Sequence, residues 1–567
     1  MGNSLSINHG LVQGVGAAAL VLLFALRKWT RGRNPIQDIA GPPSCSWIYG
    51  NMLQLMLTKQ YGDYEFDWQR SYGAVYRLKG CFSEDRLMVS DPVALQFILN
   101  SAKFEHSPMF ASMMRLMHDR KSLIVAQGEN HRRLRAALNP KFSAACVRGY
   151  EPVMQRAAQE VGAANIFVIL NNRCSASQIT RELEKSPTLA MDILPLLSNA
   201  ALGVVSEALL GCSTQDLGDE FMRIMARAVS VKSFIFVTRL SLAYLMSFFR
   251  NRDLGLGVNE TAILGNAIGT HLPEWVWDIA ALLPTGILNE LRQGKHTSIK
   301  IGRQIVERKM MAMREGLEVD ADVYSRLLDG GHHSDKNLTP EELAAQTSLI
   351  IIAGHETTTN TLAFGLLELA RNPIFQDSLR TEIHSTLTKG GSDVVYNNMP
   401  LLNAFIKEIL RLYPILANEE RIAVEDTVVP LAESIVTTTG ARISHVPVRK
   451  GQVVSVAIAS YQRLESLWGP DAGEFRPLRW VEGVNYRGEY GIGPYANLLT
   501  FFAGPRTCLG WRFAILEMQV LICELVGKFS FELPKGEDTP RMYGATVVAS
   551  VLSSGERGVP LCIKRIV

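Results

Sequence analysis

Apolar positions along the chain fall into three regimes. The first is a run, "LVQGVGAAALVLLFAL", Leu11 to Leu26, apolar apart from Gln13 and followed by Arg27, Lys28, Arg31 and Arg33. It is slightly short of the roughly 17–25 residues of a membrane span, but basic side chains at its edge can snorkel and extend it. Positive charge follows the run rather than preceding it, and no small-x-small site comes after, so a cleaved signal peptide does not fit. The basic cluster behind the run predicts that everything beyond it is cytosolic. The pattern thus predicts a single-span anchor over residues 1–26, with a buried amino-terminal helix as the alternative. "MGNSLS" fits a myristoylation pattern at Gly2, which an adjacent anchor makes redundant.

In the second regime apolar residues alternate over short runs. "GAVYRLKG" and "DRLMVSD" read as strands, and so does a patch over roughly 422–456 holding "TVVPL", "ESIVTTTG" and "GQVVSVAI". The third regime fills most of residues 92–390, with apolar residues three and four apart, the signature of amphipathic helices. Unequal helix and strand blocks without βαβ alternation predict an α+β fold dominated by helices. A basic and Pro-rich linker, residues 27–50, contains the start of "GPPSCSWIYGN" from Gly41, whose prolines stiffen it and aim the body that follows, residues 51–567. "NNRCSASQITRELEKS", residues 171–186, reads as a loop or insertion with no function attached. Two apolar segments, "SFIFVTRLSLAYLMSFF" from Ser233 and "LPEWVWDIAALLP" from Leu272, read either as core helices or as a surface that dips into a membrane.

Composition changes this picture little. The 567 residues are 47% hydrophobic and 20% charged, an ordinary globular balance. A net charge of +3 gives no reason to expect nucleic acid as a partner. Eight cysteines are scattered singly, with no CxxC pair, which excludes a disulfide framework or a structural zinc site and fits a reducing compartment.

One cysteine stands in an unusual setting. In "FFAGPRTCLGWRFAILEMQV", from Phe501, Cys508 has Arg506 two residues before it and Gly510 two after it, and a helix-patterned apolar run follows from Trp511. A buried inert thiol is the common fate of the residue. A nucleophile would need a base such as histidine, and none is near in sequence. A metal thiolate needs anion stabilisation, close approach of the backbone and apolar surroundings. Gly504 and Gly510 can take φ > 0 and admit a bulky flat group, helix amides from Trp511 onward can lower the thiol pKa, and Arg506 offers a cation to a carboxylate.

Phe501, Gly504, Arg506, Cys508 and Gly510 form Phe-x-x-Gly-x-Arg-x-Cys-x-Gly, which resembles the haem-binding loop of cytochrome P-450 enzymes. "KEILRLYP" resembles the family's Glu-x-x-Arg helix, with Glu408 and Arg411 on one helical face. "WGPDAGEFRPLRW" resembles its Pro-x-Arg segment, so Arg479 is expected to complete a buried Glu408–Arg411–Arg479 network. "LIIIAGHETTTNTLAFGLLELA" resembles its oxygen-activation groove, with Gly354, Glu356, Thr357 and Thr358 as a polar knot in an apolar helix. The match implies that Thr357 steadies the oxygen being activated and that Glu356 relays protons. "GENHRRLRAALNPKF" resembles the helix carrying a haem-propionate contact, with His131 where the family often has tryptophan and Arg135 kept; Arg421 matches a further propionate contact. The resemblance runs from the Gly-Pro-Pro linker to about residue 530 and is nearest to membrane-anchored fungal, basidiomycete members.

The resemblance implies the cytochrome P-450 fold with haem b on Cys508. The reaction expected is monooxygenation, hydroxylating or otherwise oxidising a lipophilic small molecule: a terpenoid, steroid or polycyclic aromatic met in secondary metabolism or xenobiotic oxidation. Electrons would come from NADPH-cytochrome P-450 reductase, with cytochrome b5 as a second donor, since no nucleotide-binding fingerprint occurs. The location implied is the endoplasmic reticulum membrane. Arg132 and Arg133 are candidates for docking an acidic redox partner. Met109, Met113, Met114, Met117, the stretch Pro414 to Asn418 and residues near Val548 are pocket-wall candidates. A peroxide-using or isomerising relative, or a haem-thiolate ligand sensor without turnover, are the alternatives; Glu356 and Thr357 argue against the first.

Overall fold

In a computed structural model, residues 34–160, 189–218, 260–270, 272, 274–280, 282, 286–317, 322–329, 338–390, 396–483, 491–535, 541–543, 549–552 and 557–566 are described. The expected anchor, the stretch 171–186 and the segment from Ser233 lie outside them. Among the described residues no helix is long and apolar enough to cross a membrane.

The expected strands form, in their predicted places. β1 (Val75–Lys79) and β2 (Asp85–Val89) pair antiparallel. β3 (Phe104–His106) interrupts the helical regime. Far along the chain come β5 (Glu419–Ala423) and β8 (Val453–Val456), which complete a five-stranded mixed sheet in the order β1-β2-β8-β5-β3. β4 (Leu189–Asp192), β9 (Phe529–Glu532) and β12 (Pro560–Arg565) make a second sheet in the order β4-β12-β9. "TVVPL" and "ESIVTTTG" merge into one strand, β6 (Thr427–Val436), whose register against β7 (Arg442–Val448) shifts between Pro430 and Ile435. β10 (Arg541–Tyr543) and β11 (Ala549–Val551) form a short hairpin.

Helices carry most of the core. Those that position the site are α1 (Pro92–Asn100), α2 (Pro108–Met117), α3 (Gly128–Leu138), α4 (Leu194–Val205), α5 (Gly286–Arg314), α6 (Thr347–Arg371), α7 (Pro373–Gly390), α8 (Pro400–Leu412) and α9 (Trp511–Lys528). α6 and α9 are apolar almost all round, as central helices must be; Leu362, Leu366 and Leu369 of one and Met518, Leu521 and Leu525 of the other lie in one buried cluster. α4 comes close to α6 at Gly354, where a Cβ would stand 2.8 Å from Val205 Cγ2. That crossing explains the glycine in the polar knot.

The linker differs from a free, extended tether. From Asn34 it is packed on the body. Pro35–Asp38 form a 3-10 turn capped by Asn34, Ile36 and Ile39 are buried, and Arg77 N donates to Ala40 O at 2.9 Å. Two branched apolar side chains inserted in the core outweigh the local preference of the prolines.

Candidate functional site

Cys508 ends a tightly bent loop between a 3-10 turn, Leu499–Phe501, and α9. Its N–H donates to Phe501 O at 2.8 Å, closing the loop on itself. Three non-glycine residues flanking that turn adopt positive φ: Ala496 and Asn497 before it and Phe502 after it. Phe502, at φ 60 and ψ −171, occupies a region that costs a side-chain-bearing residue about 1–3 kcal/mol. The Arg421 guanidinium covers its ring at 5.0 Å and helps hold it there. Backbone strain is thus stored at the thiol.

Only one of the two flanking glycines uses a left-handed backbone. Gly504 has φ +67, and a Cβ on it would meet Leu99 O of α1 at 2.4 Å. Gly510 has φ −89, so the expectation of φ > 0 there is corrected: it is the N-cap of α9, with the nearest neighbour of a Cβ at 4.0 Å. Its amide, however, bonds the Cys508 sulfur.

The surroundings of the thiol pull in two directions. Burial pushes the Cys508 pKa up, while the Gly510 amide and the Arg135 guanidinium pull it down. Cys508 nevertheless has accessible surface.

Around that thiol the fold gathers cations. Strand register sets His106 of β3 opposite Arg421 of β5. α3 contributes His131, which is buried, and Arg135, whose Nη2 donates to Thr507 O at 2.5 Å. Arg506 donates through Nη2 to Ala126 O at 2.9 Å. Burial, then Arg506, Arg135 and His106, push His131 down to about 4, so its ring is neutral near pH 7. Burial and then the other two arginines, Arg421 and Arg135, lower Arg506. Glu419 is the buried carboxylate of this group: burial alone would raise it, but Arg421 and His106 bring it to about 2. It bonds Arg421 at 2.6 Å and His106 Nδ1 at 3.0 Å. Of these three guanidiniums Arg421 is paired with the buried Glu419 and Arg506 feels the exposed Glu105, and the positive charge left over favours an anionic group beside the thiol. His106 and Glu419 were not expected from the sequence; the register of a three-residue strand gave no readable signal.

Glu408, Arg411 and Arg479 are fully buried and meet. Arg411 grips Glu408 bidentately at 2.8 and 3.0 Å, and Arg479 Nε donates to Glu408 Oε1 at 3.0 Å. Trp480 Nε1 and the Arg476 amide complete the carboxylate's shell, both at 2.8 Å. The arginines spend their remaining donors on backbone oxygens of Gln462, Ala472 and Glu474, and of Trp468 and Asp471, and Arg479 Nη1 also donates to Asp471 Oδ1 at 3.1 Å. Burial opposes ionisation of Glu408, yet Arg411 and Arg479 hold its pKa below the ordinary value. Gln462 carries this frame to the cysteine loop. It donates to Leu410 O and Arg411 O at 3.0 and 2.8 Å, and its Oε1 accepts from Thr500 N and Oγ1 at 3.1 and 3.0 Å. Thr500 adjoins Phe501, whose carbonyl holds the Cys508 amide.

Opposite in character is the middle of α6. Ala353 and Thr357 are exposed and Leu349 half-exposed, one turn apart on a helix whose other faces are buried. This stripe is the accessible face of the helix. Thr357 Oγ1 bonds back to Ala353 O at 2.7 Å, and Thr359, Asn360 and Thr361 repeat the same i−4 bond. Thr358 points the other way and donates to Glu517 of α9 at 3.1 Å, fixing α6 against the helix that follows Cys508. Glu356 is buried and paired with Arg557 at 3.1 Å. Burial raises its pKa and Arg557 opposes the shift.

The remaining candidates divide. Arg133 is engaged with Glu342, the capping-box residue of the helix Pro340–Ala344, so it serves the fold and is not a free docking cation. Arg132 does stay exposed, beside Glu129. Of the methionines, Met114 is buried and Met117 half-buried.

Comparison with known proteins agrees with this geometry. The family described as Cytochrome P450 matches residues 40–257 and 271–557. "Cytochrome P450 monooxygenase 91" of Postia placenta is 31% identical over 551 residues, 94% of each chain. "Cytochrome P450 monooxygenase claU" of Ampulloclitocybe clavipes is 27% identical over 573 residues, 98% of each chain. "Cytochrome P450 monooxygenase 205" of Postia placenta is 28% identical over 576 residues, 99% of this chain and 98% of the relative.

Proposed function

The chain belongs to the cytochrome P450 family, and from that premise we propose that it oxidises a lipophilic small molecule at the endoplasmic reticulum membrane with electrons from NADPH-cytochrome P-450 reductase. It is a fungal-type monooxygenase, and the family uses haem with a cysteine thiolate. Haem so held supplies a thiolate push that favours O–O cleavage. The residues here fit that group. The Cys508 thiol has accessible surface, and the cluster of Arg135, Arg421 and Arg506 has the positive excess that two propionates would neutralise.

Cys508 would supply the thiolate that holds the haem iron. His131, which can donate one hydrogen bond as a neutral ring, Arg135, Arg421 and Arg506 would hold the propionates. Phe501, Gly504 and Gly510 shape the loop. Thr357 presents its hydroxyl on the accessible stripe of α6, and Glu356 is the neighbouring acid from which protons enter. The Glu408–Arg411–Arg479 network is a frame behind the loop and takes no part in chemistry.

For the substrate, Leu416 supports an apolar wall. It is exposed between the buried Ile415 and Ala417, on the segment joining α8 to β5. Terpenoids, steroids and polycyclic aromatics match such a wall. Trp275 (63% exposed), Ile279 (58%) and Leu282 (75%) support a membrane-facing surface. They continue from the helix Glu260–Gly269, which packs on Met52 and Trp68 just after the linker. That position is where an anchor at residues 1–26 would hold the body.

The observation that carries the reading is the strained Cys508 loop, its thiol accessible, beside an anion-seeking basic cluster. Reconstitution with NADPH, the reductase and isotopically labelled dioxygen tests it, on compounds first chosen by their displacement of water from ferric iron. One labelled oxygen atom in the product is expected. Unlabelled product, or ligand-induced spectral shifts with no product from any compound that causes them, would contradict it.

A further inference from the structure

The acid of the α6 groove is held by a residue from the far end of the chain. Arg557 lies just ahead of β12 and reaches α6, on which β11 also packs. Its Nη1 stands 3.1 Å from Glu356 Oε1 and its Nη2 donates to Asn360 Oδ1 at 2.8 Å. Asn360 Nδ2 returns a bond to Glu356 O at 2.8 Å. Only 12% of the Arg557 side chain and 10% of that of Glu356 is exposed. A planar guanidinium thus spans one turn of α6 and holds both ends, which a lysine ammonium cannot do as well.

The other ionisable groups of this stretch carry no compensating charge. His355 shares its ring with Ser198 Oγ at 2.7 Å, and burial pushes its pKa down to about 4, so it is neutral. Glu517, bonded by Thr358, is driven by burial well above the usual carboxylate range. Arg557 therefore opposes the burial that raises the Glu356 pKa, and its hydrogen bonds direct the carboxylate.

We propose that Arg557 is a positioning residue for oxygen activation, clamping the Glu356 carboxylate in one orientation beside Thr357 so that proton entry to the groove depends on the carboxy-terminal segment. The proposal rests on the reading of Glu356 as the proton-entry acid. Without the guanidinium, a desolvated carboxylate takes up a proton and loses the contact that fixes its rotamer. Protons then arrive late, and reducing equivalents leave as hydrogen peroxide.

The test uses full-length holoprotein with NADPH and the reductase, comparing Arg557→Met, Arg557→Gln, Arg557→Lys and Glu356→Gln. Three quantities are read: the reduced carbon monoxide band, peroxide released per NADPH consumed, and the solvent deuterium isotope effect on NADPH consumption. Arg557→Met should keep the band, raise the peroxide fraction several-fold and enlarge the isotope effect. Arg557→Lys should fall between Met and wild type. Arg557→Met combined with Glu356→Gln should be no worse than Glu356→Gln alone, because the two act as one unit. Should the Met variant fail to hold haem, Arg557→Gln, which keeps hydrogen-bonding capacity without charge, decides by the same readings. A wild-type peroxide fraction and isotope effect in a banded Met or Gln variant would overturn the proposal, as would additive losses in the double variant. Absence of the band in wild-type protein would instead refute the haem-thiolate reading.

Discussion

Thr357 shows how a residue's type and its setting carry separate information. Its hydroxyl sits on the accessible stripe of α6 but is bonded to Ala353 O, so in this state it is parked on its own helix. Such a bond is weak enough to exchange, net about 0.5–1.5 kcal/mol, and the hydroxyl can turn toward a ligand in the groove. Thr357→Ala should leave haem incorporation intact and divert reducing equivalents into peroxide; an unchanged product yield per NADPH would remove the hydroxyl from oxygen activation. The chain order alone made Thr357, Glu356 and Cys508 readable, because each stands in a dense local motif. Arg557, Gln462, His106 and Glu419 were not readable in that way. Their roles come from partners tens to hundreds of positions away or from strand register, and short-range spacing does not encode either.

At the scale of elements, the cysteine loop is the informative case. Gly504 is constrained twice, by a left-handed backbone and by the Leu99 carbonyl of α1, whereas Gly510 has ordinary φ and room beside it. Gly504→Ala should therefore destabilise the fold and lower haem occupancy, by at least about 1 kcal/mol from the φ penalty alone. Gly510→Ala should keep the fold's stability. Denaturant midpoints of the two variants check this, and equal losses would contradict the division of roles. The sequence marks both glycines as special but cannot divide those roles, since only the packing of α1 against the loop distinguishes them. Strands were legible wherever alternation was clean, as in β1, β2 and β8. The bulged β6 read as two pieces because its irregular register breaks the alternation between Pro430 and Ile435.

Over the whole molecule, the polar frame runs from Glu408 and its two arginines through Gln462 and Thr500 to the cysteine loop. A strained loop persists only when its surroundings over-determine it, and this frame, with α6 pinned to α9 by Thr358 and Glu517, supplies that rigidity. The order of motifs made the family and the helical α+β architecture legible. The long-range closure of the sheet was not, because β2 pairs with β8 across most of the chain. The claim on which all of this depends is that the Cys508 sulfur, as an anion, binds haem iron. The most direct measurement is the reduced carbon monoxide spectrum of wild type and Cys508→Ala. The red-shifted Soret band should be present in the first and absent from the second; the same band in both, or in neither, would contradict the account.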